Sequence, residues 1–234
     1  MANHRCEFVR TSIGCGCQFD WCQVCRFRRI VSACRLHPRN SEYLGADLKS
    51  YDRDGAHHNG IPQNASVSSE LMSALSEMNV GLQCGGRALE VGAGVGRYAV
   101  LFMQHGMIYE SVDPSLWACD YVRMAYLSKA HHGNFEDLDL PRDNYNLVHS
   151  AHFLEHSADP RFALEKMISL ATSGGQIIAV VPEGTDLYNP QHLGYFDVKT
   201  LGIWFADLGL NGVVTCVKRI SNHERYIYTV GRKP

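Results

Sequence analysis

The stretch Ala88-Leu-Glu-Val-Gly-Ala-Gly-Val-Gly-Arg97 decides the fold predicted for this chain. An apolar run ends in Glu90, and glycines then follow at alternate positions: Gly92, Gly94 and Gly96. A helical pattern begins directly after them. Glycine permits tight turns and lets a backbone approach a ligand closely, and a helix N-terminus offers free N–H groups. The stretch therefore predicts a strand, a glycine turn and a helix start that face a nucleotide-like ligand.

The spacing of the glycines indicates which ligand this is. A dinucleotide-binding turn has the spacing G-x-G-x-x-G, and here Arg97 stands where its third glycine would be. The pattern E-x-G-x-G-x-G instead resembles motif I of the class I S-adenosylmethionine (SAM) dependent methyltransferases. This resemblance implies that Glu90, Gly92, Gly94 and Gly96 bind SAM. The glycines would face its methionine part, which carries no phosphate.

Two further cofactor-binding segments follow. Residues 108–113 predict a second strand that ends in Asp113, 23 residues after Glu90. An acid at this position of the related dinucleotide-binding fold accepts hydrogen bonds from a ribose diol. Residues 133–141, GNFEDLDLP, resemble the methyltransferase loop that holds adenine. The resemblance implies that Asn134 or Glu136 bonds the exocyclic amine and that Phe135 lies against the adenine ring.

The second half of the chain carries the rest of the resemblance, which covers residues 66–232. Residues 145–156, YNLVHSAHFLEH, resemble the fourth strand and trailing LEH signature of the methyltransferase type 11 and type 23 families. Residues 192–196, HLGYF, resemble the histidine-aromatic turn before the last helix. The family's fold is α/β and Rossmann-like, and it implies a seven-stranded, mostly parallel sheet with an antiparallel C-terminal hairpin.

The hydrophobic pattern of residues 66–234 agrees with this α/β fold. Ser66 is a predicted N-cap, and Leu71, Leu75, Met78 and Leu82 form a helical apolar stripe. Helix-length segments separate the predicted strands, which predicts a parallel sheet covered by helices on both faces. The strands are predicted near residues 87–92, 108–113, 145–150 and 176–181, and the hairpin at 213–220 and 225–230.

Four histidines map to the rim of the predicted cofactor site: His149, His152, His156 and His192. Methyl transfer from a sulfonium is an in-line displacement, so the protein mainly has to align the acceptor with the methyl carbon. A base is needed only when the acceptor proton must leave, and histidine suits that task near neutral pH. We predict that His152 and His192 act as general base or position the acceptor, and that His149 contributes to the cofactor site. The pair formed by residues 155 and 156 is expected to be structural.

Cysteines mark a second unit, residues 1–39, which we expect to be a small metal-binding module. Cys22-x-x-Cys25 and Cys34-x-x-His37 form two close pairs, as in structural zinc sites, and Cys15-x-Cys17 could replace the second pair or help to form a second site. An iron–sulfur cluster is an alternative, because Cys17, Cys22 and Cys25 have plant-ferredoxin spacing. A disulfide cluster is a third, disfavoured because no signal peptide is seen. The predicted zinc ligands are drawn from Cys15, Cys17, Cys22, Cys25, Cys34 and His37.

The same 39 residues are basic. They contain seven arginines, no lysine and two acids, a net charge of +5, whereas the whole chain carries −2. Arginines interleaved with aromatic residues can bind RNA through phosphate pairing and base stacking. The alternative is that these aromatics pack on the catalytic domain and the arginines face its acidic surface. Residues 40–65 are rich in turn-forming residues and are predicted to be a linker or an active-site lid.

Composition limits the functional classes. The chain has 234 residues, 45% of them hydrophobic, and no apolar run approaches a membrane span. We therefore expect a cytoplasmic enzyme without a membrane partner. The leading hypothesis is methylation of an oxygen or nitrogen on a small molecule, with SAM as cofactor and zinc in the N-terminal module. The alternatives are an RNA methyltransferase that grips RNA through the basic module, and a non-catalytic adaptor that kept the fold.

Overall fold

The computed structural model describes residues 8–12, 18–22, 24–25, 27–32, 64–184, 192–220 and 224–234. In chain order their elements are β1 (Phe8–Ser12), β2 (Gln18–Cys22), β3 (Arg28–Ser32), α1 (Asn64–Glu77), β4 (Arg87–Val91), α2 (Ala99–Gln104), β5 (Ile108–Asp113), α3 (Leu116–Tyr126), β6 (Lys129–His132), β7 (Tyr145–Ala151), α4 (Pro160–Leu170), β8 (Ala171–Pro182), β9 (Gly194–Tyr195), α5 (Val198–Asp207), β10 (Asn211–Arg219) and β11 (Arg225–Arg232).

The larger sheet has seven strands in the order β10-β11-β8-β7-β4-β5-β6. The five strands from β8 to β6 are parallel to their neighbours, and β11 pairs antiparallel with both β8 and β10. The predicted fold class, a mostly parallel Rossmann-like sheet with an antiparallel C-terminal hairpin, is confirmed. Because the strand order reverses between β4 and β7, the carboxyl ends of these two strands flank the crevice where such folds bind ligands.

Alternating side chains build a hydrophobic cluster on each face of this sheet. On β4, Leu89 and Val91 belong to one cluster and Ala88 to the other, as the two-residue period of a strand requires. The stripe of α1 packs into the second cluster through Leu71 and Leu75, which are almost fully buried. The central strands are therefore held on both sides, and the loops at their carboxyl ends project from a packed support.

In the seven-stranded sheet, the start of β8 and the presence of β6 differ from the prediction. The strand β8 begins at Ala171 rather than near residue 176, because its first residues continue directly from α4. The short strand β6 was not among the predicted strands, since its sequence, Lys-Ala-His-His, carries a single apolar residue. It pairs in parallel with β5 and completes the edge of the sheet.

The N-terminal segment forms a second, four-stranded antiparallel sheet in the order β1-β2-β3-β9. Its fourth strand comes from the C-terminal half of the chain, because Arg28 pairs with Tyr195 and Arg29 with Gly194. The tight turn between β2 and β3 is closed by the Cys22 N–H, which donates to the Phe27 carbonyl over 2.9 Å. The segment is thus joined to the catalytic domain by backbone pairing, and the boundary at residue 39 stays a prediction.

The turn between β2 and β3 also enters the hydrophobic core. Cys22, Cys25 and Phe27 are buried in the same cluster as Phe196 and Trp204. The Thr200 hydroxyl at the start of α5 donates to the Cys25 carbonyl over 2.7 Å. This packing agrees with the alternative that aromatics of the segment lie against the catalytic domain. Four of the predicted metal ligands lie outside the described residues: Cys15, Cys17, Cys34 and His37.

We expect Phe27→Ala to lower the free energy of unfolding by about 3–5 kcal/mol. The Phe27 side chain is 4% exposed, and its ring lies 4.9 Å from the ring of Trp204 and 5.2 Å from that of Phe196. Truncation would leave a cavity beside Phe196 and Trp204. Urea unfolding measures the change, with Val24→Ala as control, because Val24 is 57% exposed and its truncation should cost at most about 0.5 kcal/mol. Equal stability of the two variants would show that the N-terminal sheet is not part of the cooperative core.

Candidate functional site

A cavity of about 440 Å³ opens at the carboxyl ends of β4 and β7. The glycine loop after β4 forms its floor, and one helix and the C-terminal hairpin contribute its walls. The described residues that line it are Val67, Glu70, Glu90, Gly92, Ala93, Gly94, Val95, Arg97, Tyr98, Ala151, His152, Ile220 and Tyr226. The cavity therefore lies where an open parallel sheet places its ligand.

The glycine loop has a backbone that side chains would not tolerate. Gly92 and Gly94 have φ angles of +67° and +52°, in the left-handed region that favours glycine. A Cβ on Gly92 would lie 2.9 Å from the Cβ of Phe153, so the loops after β4 and β7 approach each other only because this side chain is missing. The third glycine, Gly96, does not line the cavity; a Cβ there would lie 2.9 Å from the Tyr126 ring. Its predicted contact with the cofactor stays a prediction.

Asp113 fixes the shape of this loop. One carboxylate oxygen accepts a hydrogen bond from the Gly94 N–H over 2.7 Å, and the other accepts one from the Ser115 N–H over 2.9 Å. The residue is 5% exposed. Asp113 is not among the described residues that line the cavity. Its predicted contact with ribose stays a prediction.

Glu90 is a buried acid at the cavity floor. Its Oε2 accepts a hydrogen bond from the Tyr109 hydroxyl over 2.6 Å, and the residue is 3% exposed. Burial raises the pKa of Glu90 to about 8, with a smaller rise from the charge of Asp113, while the Tyr109 hydrogen bond and the charge of Arg97 act in the opposite direction. The carboxyl group is therefore mostly protonated at neutral pH. A positive charge placed in the cavity would favour its ionised form.

His149 lies behind the cavity wall. It is fully buried, and its ring lies 4.4 Å from the ring of Tyr98 and 5.3 Å from that of Phe102. Burial, together with the charge of His152, lowers the pKa of His149 to about 3, so the ring is neutral. Its Nδ1 lies 3.9 Å from the Glu90 Oε1. The structure places the ring in the packing beneath Glu90, and a contact with the cofactor stays a prediction.

The predicted adenine-binding loop follows β6. The three residues predicted to contact adenine, Asn134, Phe135 and Glu136, are not among the described residues that line the cavity. Phe135 is 2% exposed and packs edge-on against the ring of Phe153 at 5.7 Å, so the structure gives it a place in the core. The Asn134 amide donates to Asp137 over 3.3 Å, and Glu136 accepts a hydrogen bond from the Ser157 hydroxyl over 2.6 Å. The latter bond ties this loop to the loop after β7. Adenine binding by Asn134, Phe135 or Glu136 stays a prediction.

His152 is the predicted catalytic residue that lines the cavity. Its φ angle is +55°, a strained conformation for a residue other than glycine and one that often occurs at functional sites. The ring packs edge-on against Tyr226 at 4.5 Å, and its Nδ1 lies 3.3 Å from the Glu155 Oε1. The side chain is 41% exposed, which leaves it accessible to a ligand in the cavity.

His192 is not among the described residues that line the cavity. It lies beside the turn that contains the LEH signature, residues 154–156. The N–H groups of Leu193 and Gly194 both donate to the Glu155 carbonyl, over 2.6 and 3.0 Å. These bonds bring the His192 ring to 5.0 Å from that of His156. Burial alone would raise the pKa of Glu155, but the neighbouring His152 and His156 outweigh it, so the pKa of this buried carboxyl is lowered. The structure thus assembles an anionic Glu155 among three imidazoles.

Several cavity residues were missed by the sequence reasoning. Val67 and Glu70 come from α1, whose apolar stripe was predicted to be core, and they lie on its flank. Ile220 and Tyr226 come from the two ends of the C-terminal hairpin. The general rule that ligands lie beyond the carboxyl ends of parallel strands does not extend to these elements. Their place in the wall depends on how α1 and the hairpin pack on the sheet.

Comparison with known proteins gives one family. The family profile described as Methyltransferase domain matches residues 63–215. A search of the curated proteins gives no match. Among the described residues, no helix combines the length and the apolar composition that a membrane span requires.

Solved structures with the same fold are similar over most of the chain. The Burkholderia thailandensis 1,6-didemethyltoxoflavin-N1-methyltransferase, with bound 1,6-didemethyltoxoflavin and S-adenosylhomocysteine, is 18% identical with a TM-score of 0.63 and covers 96% of this chain and 98% of its own. The Synechocystis PCC 6803 magnesium protoporphyrin IX methyltransferase with bound SAH is 13% identical with a TM-score of 0.60, covering 81% and 100%. A complex of the Haloferax volcanii Trm112 methyltransferase activator and a methyltransferase gives 17% identity, a TM-score of 0.60 and coverages of 80% and 98%.

The raised pKa of Glu90 predicts a stability that falls with rising pH. The folded state holds a proton on Glu90 up to about pH 8, whereas the unfolded state releases it above the ordinary value of 4.5, so folding becomes less favourable between these values. Glu90→Gln removes this effect. We expect its stability advantage over the wild type to grow by about 3 kcal/mol between pH 5 and pH 8, as measured by urea unfolding.

Glu110→Gln is the matched control on the adjacent strand. Burial would raise the pKa of Glu110, but hydrogen bonds from His131 and Tyr145 and the charges of Arg87 and Lys129 lower it overall. Ionised Glu110 therefore stabilises the fold, and its replacement should destabilise the protein at pH 8. An advantage of Glu90→Gln that does not change with pH would contradict a neutral Glu90.

Proposed function

This chain belongs to the methyltransferase domain family, and from that premise we propose that it transfers a methyl group from SAM to an oxygen or nitrogen of a small-molecule acceptor. The single observation that supports cofactor binding most strongly is the cavity floored by Glu90, Gly92 and Gly94 at the carboxyl end of β4. Two solved structures with this fold have S-adenosylhomocysteine bound. In this proposal the positive charge of the cofactor lies near Glu90, and the methionine part of the cofactor lies against the glycine loop.

The protein's contribution to catalysis would be alignment. SAM is an activated donor, so the acceptor atom must be held in line with the methyl group. We assign this task to His152, which reaches the cavity and is held between Glu155 and Tyr226. When the acceptor is a hydroxyl, the same imidazole can take its proton, because a neutral imidazole nitrogen is a general base.

The cavity has the size of a small-molecule site. Its volume is about 440 Å³, within the range that such sites occupy, and residues of α1 and of the hairpin contribute to its walls. The two neighbours named above act, by their names, on a toxoflavin precursor and on a porphyrin. The competing proposal, RNA as acceptor, is supported by the basic N-terminal segment, of which Arg10 is exposed on β1. A non-catalytic adaptor would bind neither SAM nor SAH.

Zinc in the N-terminal segment remains part of the proposal. Cys22 and Cys25 flank the tight turn that joins β2 to β3, and thiolates at this spacing can hold one tetrahedral ion. Both residues are buried, which would shield such an ion from solvent. The remaining ligands would come from the predicted set outside the described residues. Cytoplasmic location likewise remains a proposal.

Gly94→Val tests the cofactor site. The positive φ angle of Gly94 is strained for any β-branched residue, and the new side chain would enter the cavity. We expect SAH binding, measured by isothermal titration calorimetry, to weaken at least about 100-fold. The strained φ angle should lower the melting temperature by several degrees, and the variant should stay folded at the temperature of the binding measurement. Gly81→Ala is the control, because a Cβ there meets nothing within 4 Å. Undiminished affinity of Gly94→Val would exclude the glycine loop as the SAM site.

The acceptor class is tested with radiolabelled SAM in a host-cell extract that is fractionated into metabolites, RNA and protein. We expect the label in the metabolite fraction with the wild type and none with Gly94→Val, because that variant should not bind the donor. Label that ribonuclease removes would establish RNA as the acceptor and overturn the small-molecule proposal. Failure of the purified wild type to bind SAM or SAH, together with no labelled fraction, would favour the adaptor.

A further inference from the structure

A cluster beside the cavity has the composition of a metal site. Each of Glu155, His156 and His192 offers one ligand atom, and these atoms all lie within 4.8 Å of one another. Two imidazoles and one carboxylate are the donor set of catalytic zinc and of non-haem iron sites. Mg²⁺ and Ca²⁺ prefer oxygen ligands, so this set favours a divalent transition metal.

The state of the Glu155 carboxylate is the second, independent observation. The residue is fully buried, and neither of its oxygens has a hydrogen-bond partner among the described residues. The Nδ1 of His152 lies 3.3 Å from the Glu155 Oε1, and the Nε2 of His156 lies 4.0 Å from it. A buried carboxylate without hydrogen bonds is costly unless a positive charge compensates it. A bound cation would provide that compensation.

The backbone holds the three ligands together from separate parts of the chain. Glu155 and His156 lie in the turn after β7, which the His156 N–H closes on the Phe153 carbonyl over 2.9 Å. His192 is brought in by the two N–H groups of the next residues, which donate to the Glu155 carbonyl. The His156 side chain is 37% exposed, so it can move the short distance that separates the present arrangement from ligand spacings of about 3 Å around an ion.

We propose that Glu155, His156 and His192 bind one divalent transition-metal ion at the acceptor end of the cavity, with open coordination positions that take an oxygen or nitrogen of the acceptor. The position at the acceptor end follows from His152, which lines the cavity and lies in contact with Glu155. The acceptor's coordination rests on the proposed function, whereas metal binding itself does not.

The test is a titration of metal-free, full-length protein with Co²⁺, followed by visible spectroscopy. A four- or five-coordinate site of carboxylate and imidazole ligands gives Co²⁺ visible d–d bands that are much stronger than those of aqueous Co²⁺. Cysteine ligands add a thiolate-to-cobalt charge-transfer band in the near ultraviolet, so binding at the N-terminal cysteines is distinguished. We expect Glu155→Gln and His156→Asn each to weaken Co²⁺ binding at this site by about tenfold or more. Binding at this site is the binding that produces d–d bands without a charge-transfer band. His105→Asn, at the end of α2 and outside the cluster, should bind Co²⁺ like the wild type.

Two outcomes would overturn the proposal. The first is a wild type without these d–d bands, in which case the three imidazoles surround Glu155 without a metal ion. The second is a His156→Asn variant, altered only at a partly exposed side chain, that keeps the wild-type spectrum and affinity. SAH binding measured on the same metal-free samples separates this result from the proposed function. Lost Co²⁺ binding with intact SAH binding refutes the metal site alone, and the reverse refutes the SAM site alone.

Discussion

The close approach of two loops, at Gly92 and Phe153, is the constraint on which the site depends. A Cβ on Gly92 would lie 2.9 Å from the Cβ of Phe153, so any other residue would push the loops after β4 and β7 apart. Glu90 precedes this contact on β4, and His152 and Glu155 flank it after β7. One missing side chain therefore sets the distance between the loops after β4 and β7 beside the cavity. The support behind it is a sheet packed on both faces, which keeps the two strand ends from relaxing.

Two buried acids on either side of this contact are in opposite electrostatic states. Glu90 receives a hydrogen bond from a tyrosine and lies near another acid, so burial prevails and its pKa rises to about 8. Glu155 is equally buried but lies among imidazoles, so its pKa falls. The first acid can gain a charge when a cation enters the cavity, and the second carries its charge beforehand. This division fits an activated, cationic donor at one end and a positioned acceptor at the other.

The sequence was sufficient for the elements that rest on local pattern and insufficient for those that rest on packing. Strands β4, β5 and β7 each combine apolar residues with the short length typical of a strand, and the glycine spacing after β4 needs no tertiary information. Phe135 illustrates the limit, because an aromatic residue in a loop can contact a ligand or fill the core, and its partner Phe153 is distant in sequence. His149 illustrates another, since its neutral, buried state depends on the rings of Tyr98 and Phe102. The pairing of Arg28 with Tyr195 has no local signal at all.

That long-range pairing connects the N-terminal segment to the turn after β7 that contains Glu155. Strand β9 has only two residues, and two sets of backbone hydrogen bonds hold it. It pairs with β3, and the Gly194 N–H donates to the Glu155 carbonyl. His192 lies two residues before β9, so its place beside Glu155 depends on both sets of bonds. The hydroxyl of Thr200 adds a third tie, from the start of α5 to the Cys25 carbonyl. The cysteine-rich segment therefore acts on the site through geometry, because a change in how β3 lies against β9 would displace His192 without touching any cavity residue.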